Sequence, residues 1–335
     1  MRAAFGRLTQ QRVGIDWTTA AVALAALGGS AALTALARFW LQHSAVLDRP
    51  GERSSHRTPV PRGAGLALVP VLAAAWFVLT AAGAASNDAI AVAGSALLLM
   101  LCFFYDDLGG LPVALRLVAH FAVVTASIWL LPDGLVFQGW LPFGLDRVAA
   151  VLLWVWFINL FNFLDGIDGI AGVETLCIGL GIVLVGAAGD RGLALVVAAV
   201  AIGFLPFNWH PAKIFLGDAG SVPLGYLLGW LLLTLAARGM WAPALILPLY
   251  YLADATVTLA LRLGRGERVW QAHRSHFYQR AVRDGNHAPV TLIVLTGNCG
   301  LIALAWLALK APLPALGLAA ALTAGMLTLF ARRAV

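Results

Sequence analysis

Residues 157–172 read "FINLFNFLDGIDGIAG", and four polar side chains in that stretch decide how the chain is read. Asn159, Asn162, Asp165 and Asp168 stand between apolar runs long enough to cross a bilayer. Ionised carboxylates close to hydrocarbon are expensive, and where they occur they mark functional sites. Two questions follow: what solvent surrounds the flanking runs, and what holds the carboxylates there.

Composition answers the first. The chain has 335 residues, of which 61% are hydrophobic and 11% charged, with a mean hydropathy of +0.87. A soluble domain carries about 25% charged residues, so this chain cannot cover a core with polar surface. Its apolar runs are of helix-spanning length, roughly 17–25 residues, rather than the ~10-residue alternation of a membrane barrel. The fold class is therefore an all-α polytopic membrane protein, read as one domain over residues 1–335. Eleven candidate spans lie near 17–41, 63–83, 88–104, 114–131, 148–164, 170–188, 192–209, 219–237, 242–262, 288–309 and 313–331. The first run follows three arginines but is too long for a signal-peptide core, so it is read as a retained span; without it the count is ten. Cys102, Cys177 and Cys299 are scattered in apolar segments with no metal-binding or disulfide spacing. The net charge of +6 reports topology and contact with anionic lipid, not nucleic-acid binding.

Sidedness comes next. The loops at 42–62, 105–113, 165–169, 210–218 and 263–287, with the C-terminal tail and adjoining helix ends, hold 15 of the 22 Lys and Arg. The excess of positive charge places this set in the cytoplasm. Asp165 and Asp168 then stand at the cytoplasmic mouth of the bundle rather than at mid-bilayer. Other polar clusters share that side: "FFYDDLGGL" with Asp106 and Asp107, and "FLPFNWHPAKIFLGDAGSVPLG" with Asn208, His210, Lys213 and Asp218. "DRPGERSSHRTPVPRGAG" adds Arg57 and Arg62, and "HRSHFYQR" adds His273, Arg274 and His276. Asp254 lies within the ninth run, and the sequence leaves open whether it bonds a neighbouring helix or supports the site.

Converging acids raise one another's pKa unless something positive sits among them. An oxygen-rich donor set without cysteine suits a hard divalent cation, Mg²⁺ or Mn²⁺. The adjacent arginines match phosphate oxygens bidentately. Carboxylates, a metal and arginines at a membrane surface describe phosphoryl transfer from a charged donor to a lipid acceptor.

These motifs, in order from Asp48 to about Arg283, resemble the polyprenyl-phosphate N-acetylhexosamine-1-phosphate transferases, glycosyltransferase family 4. The resemblance implies an active site facing the cytoplasm in the bacterial inner membrane. It implies transfer of N-acetylhexosamine-1-phosphate from a UDP-N-acetylhexosamine to undecaprenyl phosphate, with UMP leaving. By the same resemblance, Asp218 is the foremost Mg²⁺ ligand, joined by Asp107. Asp106, Asp107, Asp165, Asp168 and His276 fall in catalytic motifs. Asn159, Asn162, Asn208, Lys213, Phe215, Arg57, Arg62, His273 and Arg274 fall at substrate-binding positions, with Phe215 matching an aromatic that stacks on uracil. The family suggests a homodimer. The wording of "HRSHFYQR" and "ERSSHRTP" is similar to enzymes that initiate O-antigen synthesis. His-Arg-Ser-His in place of adjacent histidines, and no insertion to hold a peptide-bearing donor, argue against the muramyl-pentapeptide branch, which stays as the alternative within the family. A transporter is the rival of another class; it predicts mid-membrane charges and an internal repeat, and only Asp254 speaks for it.

Overall fold

The computed structural model describes residues 15–44, 46–48, 59–268 and 273–334. Arg57, read as substrate-binding, lies outside the described residues. Among the described residues the regular structure is helical, apart from one pair of two-residue strands. In chain order the helices are α1 (Trp17–His43), α2 (Gly65–Ala81), α3 (Asp88–Gly109), α4 (Val113–Ser127), α5 (Phe143–Phe163) and α6 (Ile170–Val185). There follow α7 (Ala188–Asn208), α8 (Asp218–Ala237), α9 (Trp241–Ile246), α10 (Leu249–Gly264), α11 (Phe277–Arg280), α12 (Ala288–Ala308) and α13 (Pro312–Arg333). The strands β1 (Leu47–Asp48) and β2 (Val60–Pro61) pair antiparallel, Leu47 opposite Pro61.

Each apolar run read from the sequence falls on a helix, with one difference. The ninth run is broken: α9 stops at Ile246, and α10 restarts at Leu249 after Pro248. Proline has no N–H to give the preceding turn and its ring crowds the carbonyl four residues back, so an apolar run of spanning length need not be one helix. Eight of the described helices are long and apolar enough to cross a membrane, and α2 and α6 are shorter apolar helices.

The axis of the bundle is α8. Every residue from Ala219 to Ala237 is buried, as expected of a helix that is apolar all round. It packs against α2, α3, α5, α6 and α9. Lipid tails are as apolar as leucine, so helices in a bilayer associate through close packing at small residues. Gly229 supplies one such place: a Cβ there would lie 2.5 Å from Trp154 Cδ1 on α5. Trp154 fills that space, donates from Nε1 to Tyr226 O at 2.9 Å and stacks on the Tyr226 ring at 4.9 Å. The fully buried α8 is thus a fixed post, and its N-terminal residue is Asp218.

Candidate active site

Asp218 opens α8 directly after Gly217, which adopts φ +72°, a conformation open to glycine at no steric cost. The exposed amides of the first turn need acceptors. Asp107, from the end of α3, supplies them: its carboxylate accepts from Asp218 N–H at 3.1 Å and Ala219 N–H at 3.0 Å. The segment before α8 is in turn joined to the strand pair. Phe215 N–H donates to Pro61 O at 2.8 Å, and Gly63 and Ala64 donate to Phe215 O at 3.1 and 3.0 Å. This splice carries Arg62 to the acids.

The two Arg62 bonds run to different carboxylates, Nε to Asp107 Oδ1 at 2.9 Å and Nη2 to Asp218 Oδ1 at 2.6 Å. On the other side Arg116 of α4 holds Asp106 Oδ2 at 2.8 Å and lies 3.6 Å from Asp218 Oδ2. Asp106 also accepts from Leu111 N–H. Asn162, at the end of α5, donates to Asp218 Oδ1 at 3.2 Å and to Ser221 Oγ at 2.8 Å. Burial works to lower the Arg62 pKa, but Asp218, Asp107 and Asp48 outweigh it and hold the guanidinium charged.

A cavity of about 220 Å³ opens over this cluster, lined by Arg62, Asn162, Asp165, Asn208, Phe215 and Asp218 among others. Asp165 enters from the α5–α6 loop. Burial, and then the neighbouring Asp218, Asp107 and Asp168, push its carboxyl up to about 7, against the pull of Arg62. That is the state of a carboxylate short of positive charge. Asp165 and Asp218, two carboxylates on the cavity wall, offer oxygen ligands, which fit a hard cation. Asp107 fits less well as an open ligand, because its side chain is fully buried and already takes Arg62 and two amides. A second cavity of about 330 Å³ adjoins the first across Ile167 and Gln279, with Arg274 on its wall.

The remaining expected residues divide. Asn208 lines the cavity and bridges Gly169 N–H at 3.1 Å to Ile214 O at 3.1 Å. Asp168 borders the cavity, but its carboxylate is taken by His210 Nδ1 at 2.7 Å, Ala212 N–H at 3.0 Å and His287 Nδ1 at 3.1 Å. Burial alone would raise its pKa, yet His287, the Ala212 amide and His210 bring it below the usual carboxylate range. Asn159 is not brought to the cavity: it donates to Val155 O at 2.7 Å and lies 3.3 Å from His120 Nδ1. Asn159 lies one turn before Asn162 on α5, roughly 4.5 Å deeper in the bundle at 1.5 Å per residue, beside His120 and short of the cavity. Lys213 is exposed beside the cavity rather than on its wall.

His276 is buried, with Nδ1 3.1 Å from Asp254 Oδ1, and does not reach the acid cluster. Asp254 also accepts from the Phe277 and Tyr278 amides at 3.1 and 3.2 Å, so it anchors "HRSHFYQR" rather than marking a transport path. The His273 ring lies 4.8 Å from that of His276, tilted by 33°; burial, then His276 and Arg262, lower its pKa to about 4, leaving it neutral. The sequence reading named His210 in a polar cluster without a role and passed over Arg116, Ser221, Gln279 and His287. Arg116 alone carried a signal, as the one basic residue early in an apolar run.

Two arginines, clustered carboxylates and an aromatic-edged cavity at one end of a membrane bundle define an enzyme acting on phosphorylated substrates at a membrane surface. Residues 89–236 match the family described as Glycosyl transferase family 4. The chain is 30% identical over 323 residues to the decaprenyl-phosphate N-acetylglucosaminephosphotransferase of Mycolicibacterium smegmatis, covering 81% of this chain and 78% of that protein. It is 28% identical over 268 residues to the probable undecaprenyl-phosphate N-acetylglucosaminyl 1-phosphate transferase of Bacillus subtilis, covering 75% of this chain and 73% of that one. It is 32% identical over 183 residues to a phospho-N-acetylmuramoyl-pentapeptide-transferase of Streptococcus thermophilus, covering 50% of this chain and 53% of that protein. The chain belongs to glycosyl transferase family 4, and it is a multi-pass membrane phosphoglycosyltransferase.

Proposed function

We propose that the protein transfers N-acetylhexosamine-1-phosphate from a UDP-sugar to undecaprenyl phosphate at the cytoplasmic face of the bacterial inner membrane. The product, an undecaprenyl-diphospho-sugar, would start O-antigen or another envelope polysaccharide. The observation that carries this reading is Asp218 held between two guanidinium groups, Arg62 on the side of the cavity and Arg116 on α4. Leu115, Leu117 and Val118 around Arg116 are exposed, as lipid-facing residues are. Two phosphates can thus approach one carboxylate, one from water and one from the membrane.

In the reaction, an oxygen of the lipid phosphate attacks the sugar-bearing phosphorus, the bond to the UMP oxygen breaks, and UMP leaves. The acceptor phosphate has a second pKa near 6, so it is largely dianionic at neutral pH and needs no strong base. Alignment and charge stabilisation therefore supply most of the rate. Phe215 offers a face for uracil beside Asn208. The adjoining cavity with Arg274 and Gln279 is sized for the sugar. Mg²⁺, with Mn²⁺ as a substitute, would be held by Asp218 and Asp165, with Asp107 holding Asp218 in place. It would supply charge neutralisation on the diphosphate. An apolar groove of about 350 Å³, running past Leu153, Trp154 and Phe157 of α5 to Pro248 at the helix break, offers the chemistry a polyprenyl chain needs.

The test is purified protein in detergent with undecaprenyl phosphate, Mg²⁺ and a panel of UDP-N-acetylhexosamines, with UDP-MurNAc-pentapeptide included. UMP release with label entering lipid, abolished by EDTA, is the expected result and names the donor. No transfer from any donor by folded protein would overturn the reading.

A further inference from the structure

We infer that His210 and His287 act as a clamp on Asp168 that sets the shape of the nucleotide cavity. They are positioning residues, and neither lines that cavity. This rests on the proposed function for the identity of the nucleotide, though the clamp itself is a property of the free protein.

Three separate segments meet at Asp168. His210 comes from the loop after α7 and donates through Nδ1 to Asp168 Oδ2, while the Ala212 amide bonds the same oxygen. His287 immediately precedes α12, and its Nδ1 lies 3.1 Å from Asp168 Oδ1 and 3.2 Å from Asp168 N. One turn further along, Thr291 donates to Asp168 O at 2.9 Å. Asp168 therefore ties the α5–α6 loop to the segment 209–217 through its carboxylate and to α12 through its backbone. The tied segments carry cavity residues on both sides: Gly166 and Ile167 on one, Phe215 and Gly217 on the other. Gly169 leaves no slack between them. It sits at φ +80°, and a Cβ there would be 3.3 Å from Thr291 and 3.4 Å from Trp209.

The donor atoms of Asp168, His210 and His287 lie within 4.8 Å of one another, a spacing that a transition-metal ion would also accept. The hydrogen bonds favour the clamp. Asp168 Oδ2 already receives two donors, and His287 Nδ1 is engaged at Asp168 in either state, facing Oδ1 when protonated and accepting from the Asp168 amide when not, so it is not free for a metal. A histidine ring on either side of Asp168 gives stiff, directional contacts between loops that share no regular secondary structure.

Displacing a binding wall by about 1 Å costs on the order of a hundredfold in the step it serves. His210→Ala and His287→Ala are therefore expected to weaken UMP binding by calorimetry, in Mg²⁺, by about tenfold or more. KM for the donor rises in step, while KM for undecaprenyl phosphate changes less than about twofold. His210→Asn, which keeps a donor near the Nδ1 position, restores most of the affinity. Hydrogen exchange in the ligand-free protein quickens at 164–169 and 209–217 but not at 105–112. Unchanged exchange in both alanine variants overturns the clamp. So does an equal loss for both substrates, which signals general destabilisation, and so does stoichiometric zinc or cobalt in the protein that the variants lose. Wild-type protein that binds no UMP, with exchange still quickened in the variants, overturns the nucleotide reading and leaves the clamp standing.

Discussion

Arg62 Nη2 lies 2.6 Å from Asp218 Oδ1, and Arg116 Nη1 stands 3.6 Å from the other oxygen of the same carboxylate. The two arginines differ in what else surrounds them. Arg62 borders the cavity with Phe215 and Asn208, whereas Arg116 rises from a helix whose neighbouring residues face outward. Arg62→Ala should raise KM for the UDP-sugar, and Arg116→Ala should raise KM for the polyprenyl phosphate, each by about ten- to a hundredfold for a lost charge-assisted contact. Steady-state kinetics with each substrate varied in turn separates the two. The same shift in both constants for either variant would remove the assignment of sides.

Asp218→Asn keeps shape and removes charge from the residue that Arg62, Arg116 and Asn162 converge on. Turnover is expected to fall about a thousandfold, the order seen when a main electrostatic element is lost. Asp107→Asn should act differently, because that carboxylate caps α8 through two amides and is fully buried. A capping loss of ~1 kcal/mol predicts a lower thermal midpoint together with slower turnover. Melting curves beside initial rates distinguish a functional carboxylate from a supporting one. A normal midpoint with lost activity in Asp107→Asn would return that residue to the role of open metal ligand.

Much of this was legible in the sequence. The acids at 106, 107, 165 and 218, with Asn162, Asn208, Arg62 and Phe215, stand together as their shared side of the membrane required. A polar residue in an apolar chain announces itself, and short loops on alternate sides fix which residues share a surface. Depth along a helix relative to a cavity is not announced by an apolar run, so Asn159 and Asn162, one turn apart, looked equivalent although only Asn162 reaches Asp218. His210 was visible as a polar residue on that side, but its pairing with His287 was not: they are 77 positions apart in the chain, and only the packing of α12 against α6 brings them to one residue. The break at Pro248 was visible as a proline. Its effect on the ninth run depended on whether neighbouring groups could satisfy the freed backbone, which sequence does not display.

The raised carboxyl of Asp165 predicts a pH dependence with a definite sign. Its folded-state pKa is lifted from 3.8 to about 7, so in metal-free protein its contribution to stability is fully present below pH ~4 and is lost as pH rises through about 7. Metal-free protein should therefore melt at a higher temperature at pH 6 than at pH 8. A bound cation needs the ionised form, so Mg²⁺ affinity should fall as pH drops below about 7. Asp165→Asn should flatten the first dependence and weaken Mg²⁺ binding at pH 8. Melting curves with EDTA and with Mg²⁺ across pH 6–8 test both, and a metal-free midpoint that rises with pH in this window would contradict the assignment.

Asp254 is a buried acid that the site does not use directly, and its surroundings explain its place in the helix. Besides His276 and two amides of α11, it accepts from Tyr250 Oη at 3.1 Å and Thr258 Oγ1 at 3.3 Å. Five donors on one carboxylate fix the start of a four-residue helix that has too few internal bonds to hold itself. That helix carries Gln279 to the wall shared by the two cavities. Asp254→Ala would orphan these donors and cost about 3 kcal/mol, in the range for a broken buried polar network. It should lower the thermal midpoint and weaken donor-sugar binding together, while Asp254→Asn, which keeps one acceptor oxygen, should lose less of each. The arrangement predicts that UMP, which lacks the sugar, is bound almost normally by Asp254→Asn. Calorimetry with UMP against the intact UDP-sugar checks this, and an equal loss for the two ligands would place the effect of Asp254 on the whole bundle rather than on the segment it anchors.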